Sequence, residues 1–180
     1  MEFLTREQCV EFARRVGVVT KARDLNLPSV RKKHRAVFYK ESLNPIARRC
    51  VQVVVELFPK YTRALLWITG SPGNEGWGEI DSFMRERKSW RKFADLRRAR
   101  GEERRLYDAP GHLLTPDERP LIADLAEPAI LHGWDSLLLA KPNTTAVYFS
   151  HNDDIRVISD KNVSTWSAAF TGLGLTRGDW

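Results

Sequence analysis

Only two cysteines, Cys9 and Cys50, occur in 180 residues, too few for a disulfide framework or a zinc knuckle. Each sits in an apolar helical pattern that suits a reduced, buried thiol. No apolar run approaches the roughly 20 residues needed to cross a bilayer, so no membrane contact is expected. The start, Met1-Glu2-Phe3-Leu4-Thr5, turns polar at once and lacks the basic start, apolar stretch and cleavage site of a secretory signal, which predicts a cytoplasmic location. Repeats, low-complexity linkers and composition boundaries are missing too. So are the compact motifs of catalysis. None of the four histidines belongs to a His-Glu-x-x-His or His-x-His pair. Ser150-His151 lacks the glycines of a nucleophile elbow, and the glycine-rich run from Gly70 to Gly76 lacks the Gly-Lys-Ser/Thr ending of a phosphate loop. No cofactor is called for.

What is present fits one globular domain over residues 1–180. Hydrophobic residues make up 42% and charged residues 29%, close enough to ordinary values to set aside disorder. The net charge of +6 has a single origin: from Arg85 to Arg105 there are ten Lys or Arg against four acids, and the rest of the chain is balanced. Within this stretch Arg85, Arg87, Lys88, Trp90, Arg91, Lys92, Arg97, Arg98 and Arg100 are candidate partner contacts. Trp90 and Phe93 are interleaved among them. Cations with aromatics can hold phosphates by charge and bases by stacking, or complement an acidic protein surface. The plainer alternative is a solvated helix face. Trp77, in a glycine-flanked loop, is a further candidate anchor, because exposed loop aromatics are frequent interface residues. Its alternative role is to fold back as a staple on the next helix.

Local patterns place the elements. Thr5-Arg6-Glu7-Gln8 has the form of a capping box and opens a helix to about Val16. Residues 1–42 then read as an N-terminal helical extension, with 21–40 unassigned because Pro28 and a basic cluster obscure the pattern. Asn44-Pro45 starts a second helix, with Ile46, Cys50, Val53, Val54 and Leu57 at helical spacing, and Pro59 stops it. Ala64 to Thr69 is a short apolar run ending in Gly70-Ser71-Pro72-Gly73, as a buried strand would. Residues 85–105 form a basic helix or insertion. Ala109-Pro110-Gly111-His112 reads as a turn, and Thr115-Pro116-Asp117-Glu118 as a second capping box. The helix that follows carries Leu121, Ile122, Leu125, Ala129 and Ile130 on one face and ends at Gly133. Leu137–Leu139, Ala146–Phe149 and Ile155–Ile158, separated by turn residues, make a β-meander, and Val163, Trp166, Ala169 and Phe170 mark a closing helix. The expected architecture is therefore α+β, with a mainly antiparallel four-stranded sheet, a C-terminal meander and about five helices.

Three histidines sit at turns or helix ends, where His112, His132 and His151 could meet Asp135 and Asp153 and hold a metal. Asn, Asp and His also favour such places simply to cap their own backbone. For His151 capping is the expectation.

Through Leu65-Leu66-Trp67-Ile68-Thr69, Trp77, Ala109-Pro110-Gly111-His112-Leu113, Gly133-Trp134-Asp135 and Ser150-His151-Asn152-Asp153, the chain resembles a group of small uncharacterised bacterial proteins. That likeness spans about residues 57–158, leaving out the N-terminal part and the basic stretch near 88–105. In size and architecture these proteins are similar to immunity proteins that block bacterial toxins. The resemblance implies a non-enzymatic, protein-binding role, and the chain's basic character implies a partner with an acidic surface. Nucleic-acid binding through the same stretch is the alternative. Metal-dependent hydrolysis is the third.

Overall fold

In the computed structural model the described residues are 1–19, 29–30, 34–70, 88–142, 145–159 and 162–178. They form an eight-stranded antiparallel sheet in the order β1-β6-β5-β7-β8-β9-β4-β10. The strands are β1 (Glu2–Leu4), β4 (His34–Tyr39), β5 (Arg63–Gly70), β6 (Gly111–Leu114), β7 (Asp135–Lys141), β8 (Ala146–Phe149), β9 (Asp154–Ser159) and β10 (Thr176–Gly178). A separate pair joins β2 (Val18–Val19) to β3 (Ser29–Val30). Five α-helices accompany them among the described residues: α1 (Arg6–Arg15), α2 (Ala47–Leu57), α3 (Lys88–Arg98), α4 (Leu121–Leu131) and α5 (Ser164–Gly172).

The four-stranded sheet expected from the sequence is thus an eight-stranded one. The four strands it counted, β5, β7, β8 and β9, are the middle of the sheet, and the others escaped for identifiable reasons. β1 and β10 are three residues each, too short to show an alternation. β4 contains the ambiguous Ala36-Val37-Phe38-Tyr39. β6 lies inside what reads as a Pro-Gly turn, yet Gly111 to Leu114 pairs with β5 on one side and β1 on the other. Residues 1–42, expected as a helical extension, hold among their described positions one helix and the strands β1 to β4, two of which enter the sheet.

Strand alternation sends side chains to two different cores. One face of β5, β7 and β8 presents Leu66, Ile68, Leu138, Val147 and Phe149 to α2, α3, α4 and α5. The other presents Leu65, Trp67, Leu137, Leu139, Ala146 and Tyr148 to α1 and β2. Because both faces are covered, the central strands carry almost unbroken apolar runs, which is why they were legible without alternation. The sequence caps also hold. Thr5 and Gln8 form a reciprocal box at the start of α1. Thr115 and Glu118 form one as well, but it opens a 3-10 turn, Pro116–Glu118, ahead of α4. Asn44, expected as an N-cap, instead lies with Pro45 inside a 3-10 turn before α2 whose cap position is Leu43, with no side-chain cap bond.

One glycine has a steric reason. A Cβ on Gly111 would collide with Cys9 Sγ and Leu4 Cβ, so only glycine lets α1 lie this close to β6. Cys9 and Cys50 are both buried and reduced, and burial pushes their thiols up to about 12 and about 11, which makes them inert packing groups. Among the described residues no helix is long and apolar enough to cross a membrane.

Trp67 is 1% exposed, at the centre of β5 between Gly111 and Leu137. Trp67→Ala is expected to destabilise the protein by about 3–5 kcal/mol through the cavity it leaves. Urea denaturation measures this, and a loss under about 1 kcal/mol would mean a surface tryptophan instead.

Candidate functional site

Helix α3 positions most of the basic stretch, and its amphipathic pattern divides the stretch in two. Trp90, Phe93 and Arg97 are buried, while Lys88, Arg91, Lys92, Asp95 and Arg98 face outward. The helix ends where Gly101 adopts a positive φ of 79° and the Glu102 amide returns to the Arg97 carbonyl at 3.1 Å, a glycine-terminated helix end. The chain then runs back alongside the helix. Glu102, 4% exposed, accepts from Arg104 Nε at 2.9 Å and Nη2 at 2.6 Å. Burial opposes its charge, but the bonds and charge of Arg104 prevail and hold the carboxyl below its usual range. Arg104 also donates to the Phe3 carbonyl at 3.3 Å, which ties this return segment to the edge of the sheet.

Between α3 and the return segment lies a cleft of about 400 Å³, in the size range of ligand sites, roughly 300–1,000 Å³. Its floor is apolar, from Trp90, Phe93, Ala94 and Leu106. Its rim carries Arg91, Arg98, Arg104 and Arg105, with Glu102 and Glu103 on the return segment. Just beyond Leu106 stands Tyr107, at 58% exposure the more exposed of two large solvent-facing hydrophobic residues among those described.

The structure sorts the sequence candidates accordingly. Arg91 and Arg98 line the cleft. Lys88 and Arg100 are exposed near the two ends of α3. Lys92 turns elsewhere, reaching Asp124 at 3.5 Å, a carboxylate that also takes Arg48 at 2.7 Å. Trp90 offers no free ring for stacking: it packs in the core, stacked on Phe93 and edge-on to Trp134. Arg97 is 5% exposed. Its guanidinium donates to the Ala109 carbonyl at 2.9 Å and lies over the Phe3 and Phe93 rings, so it anchors α3 instead of meeting a partner. Trp77, Arg85 and Arg87 lie outside the described residues. Arg104 and Arg105 are missing from the sequence candidates, because a run of charges does not reveal that the chain reverses at Gly101 and brings them opposite the helix.

The histidines occupy separate settings. His112 lies on β6 under α3, fully buried, with its rings' edges against Phe3 and Phe93 and Nδ1 3.4 Å from the Leu66 carbonyl. Burial, reinforced by the Arg97 charge, lowers its pKa to about 3, so it is neutral. His132 follows α4, with Nε2 3.2 Å from Ser89 Oγ and its ring against Trp134. His151, in the β8–β9 turn, meets Asp135 twice: its backbone amide donates at 2.9 Å and its Nδ1 lies at 3.0 Å. Asp135, 2% exposed, also raises the pKa of Tyr148, after burial itself. Asp153 serves the same turn, with φ 57° and a carboxylate accepting from the Leu43 amide at 2.7 Å. The Gly-Trp-Asp and Ser-His-Asn-Asp motifs thus combine as a clasp that fastens the β8–β9 turn to the start of β7 and to the segment after β4. Among the described residues no three His, Cys, Asp or Glu side chains are grouped to hold a metal.

No family model, curated protein or solved structure matches this chain. Function is therefore argued from the chemistry of the site.

Two expectations follow from this geometry. His151→Ala should cost about 0.5–2 kcal/mol, as other lost side-chain caps do. Asp135→Ala should cost more, since it also strips the His151 amide of its acceptor, and comparing denaturant midpoints of the two variants checks the order. For His112, the folded pKa lies below the ordinary 6.5, so the unfolded chain binds the extra proton first. The stability it contributes is complete above about pH 6.5 and drains away as pH falls towards about 3. Wild type should lose about 2 kcal/mol more than His112→Phe between about pH 7 and pH 5. Parallel stability–pH curves for the two proteins would refute this.

Proposed function

We propose that the protein is a non-enzymatic binding module that holds a protein partner by its acidic surface, as an immunity-like inhibitor of a bacterial toxin would. The observation that carries this reading is the cleft beside α3, where exposed Arg91, Arg98 and Arg105 surround an apolar floor. Apolar centre and cationic rim are the anatomy of protein interfaces, and exposed arginines speed and orient association more than they stabilise the fold. The cytoplasm is the compartment this reading assumes.

Nucleic-acid binding is the second reading, favoured by the same arginines and by the exposed Tyr107 ring, on which a base can stack.

The triple substitution R91E/R98E/R105E tests the proposal. All three side chains are exposed, so the variant should unfold within about 1 kcal/mol of wild type. From nuclease-treated lysate of the source organism, wild type should retain a protein with an acidic surface, identified by mass spectrometry, and the folded variant should lose it. Equal retention by both proteins would overturn the proposal, as would retention seen only from lysate left without nuclease.

A further inference from the structure

Most of the charge around the cleft is already committed. Arg98 meets Asp95 at 2.7 Å, Arg104 meets Glu102 at 2.6 Å, Arg97 donates to the Ala109 carbonyl, and Arg91 is engaged too. Two charged side chains of the lining remain with no hydrogen bond or ion pair among the described residues, Glu103 and Arg105. They are opposite in sign. Both are exposed on the return segment, and because they stand two positions apart in the chain, their backbones lie within about 7 Å of each other. Beside them the floor of Trp90, Phe93, Ala94 and Leu106 is apolar. The open part of the cleft is therefore one cation, one anion and an apolar surface.

We propose that the cleft binds a free α-amino acid with a large apolar side chain, its carboxylate on Arg105, its ammonium on Glu103 and its side chain on the floor. Such a molecule carries both charges side by side at one end and an apolar body at the other. A guanidinium matches a carboxylate with paired donors, and an ammonium offers three donors to a carboxylate. Each exposed ion pair is weak alone, but a ligand held at two points gains the second contact without a second loss of freedom. The volume of about 400 Å³ suits a small molecule. A residue inside a peptide chain has neither charge, and a simple apolar acid leaves Glu103 without a partner, so the pairing of charges selects the free amino acid. The proposal goes beyond the protein-binding reading, in which Glu103 has no part.

The test is a set of ¹H–¹⁵N NMR titrations of the whole protein at low salt. The probes are L-phenylalanine and three molecules that each lack one of its features: 3-phenylpropionate has no ammonium, 2-phenylethylamine no carboxylate and L-alanine no ring. L-Phenylalanine should bind about tenfold or more tightly than each of the others, with shifts centred on the cleft residues between 90 and 106. Glu103→Gln should erase its advantage over 3-phenylpropionate, and Arg105→Gln its advantage over 2-phenylethylamine. Both variants should keep the wild-type spectrum elsewhere, since both side chains are exposed. Absence of saturable L-phenylalanine binding up to about 10 mM overturns the proposal. So does an affinity no better than that of an analogue, or an advantage that survives both substitutions. Each of these results leaves the acidic-partner reading standing, because capture from lysate reads that separately.

Discussion

The buried guanidinium of Arg97 fixes where α3 sits, and nearly everything at the candidate site follows from that. Carrying a charge into the interior is costly unless it is hydrogen-bonded. Arg97 meets the condition in part: its Nε is a buried donor with no hydrogen bond among the described residues, but the guanidinium donates to the Ala109 carbonyl and lies over the faces of Phe3 and Phe93. These partners come from the strand edge and from the segment leading into β6, so one side chain ties α3 to the sheet and to its own return segment. With Arg97 pointing inward, helical spacing turns Arg91 and Arg98 outward on a shared face. The Arg97 carbonyl also receives the Glu102 amide, which sets the reversal that forms the second wall of the cleft. Burial keeps His112 neutral and the same charge reinforces this, so the polar groups under α3 stabilise one arrangement together.

The eight-stranded sheet gives these groups their fixed background. Its middle strands are covered on both faces, by α2 to α5 on one and by α1 and β2 on the other, and such doubly buried strands have little freedom to slip in register. The end of the sheet where β7 begins is closed by polar groups. There Asp135 fastens the His151 turn and Asp153 holds the Leu43 amide. A carboxylate and imidazole in contact are also the components of proton-transfer sites, but here the geometry is that of a clasp. The Gly133-Trp134-Asp135 and Ser150-His151-Asn152-Asp153 motifs are partly explained by this, since Asp135 and His151 hold each other.

Short-range chemistry made much of the framework legible. The capping residues Thr5 and Gln8, and Thr115 and Glu118, each satisfy backbone donors within three residues, so their signal is complete in the sequence. Gly133, at φ 64°, ends α4 for the same local reason. The apolar runs of β5, β7, β8 and β9 were plain because burial on both faces writes itself as continuous hydrophobicity. β1, β6 and β10 are stabilised by their neighbours and carry no such mark: Gly111 to Leu114 is a strand because β5 and β1 flank it, and its Pro-Gly entry obscures that.

At the candidate site the division is similar. By itself the sequence determined that the excess charge is concentrated between residues 85 and 105 and that α3 is helical, because net charge is additive and helical periodicity is local. Only the tertiary structure decided which of those cations face solvent. It committed Trp90 and Arg97 to the core and Lys92 to Asp124, and it brought Arg105 into the cleft that Arg91 and Arg98 line. Such choices depend on what packs against each side chain, and contacts between residues distant in sequence, such as Arg97 with Phe3, leave no trace in the local pattern.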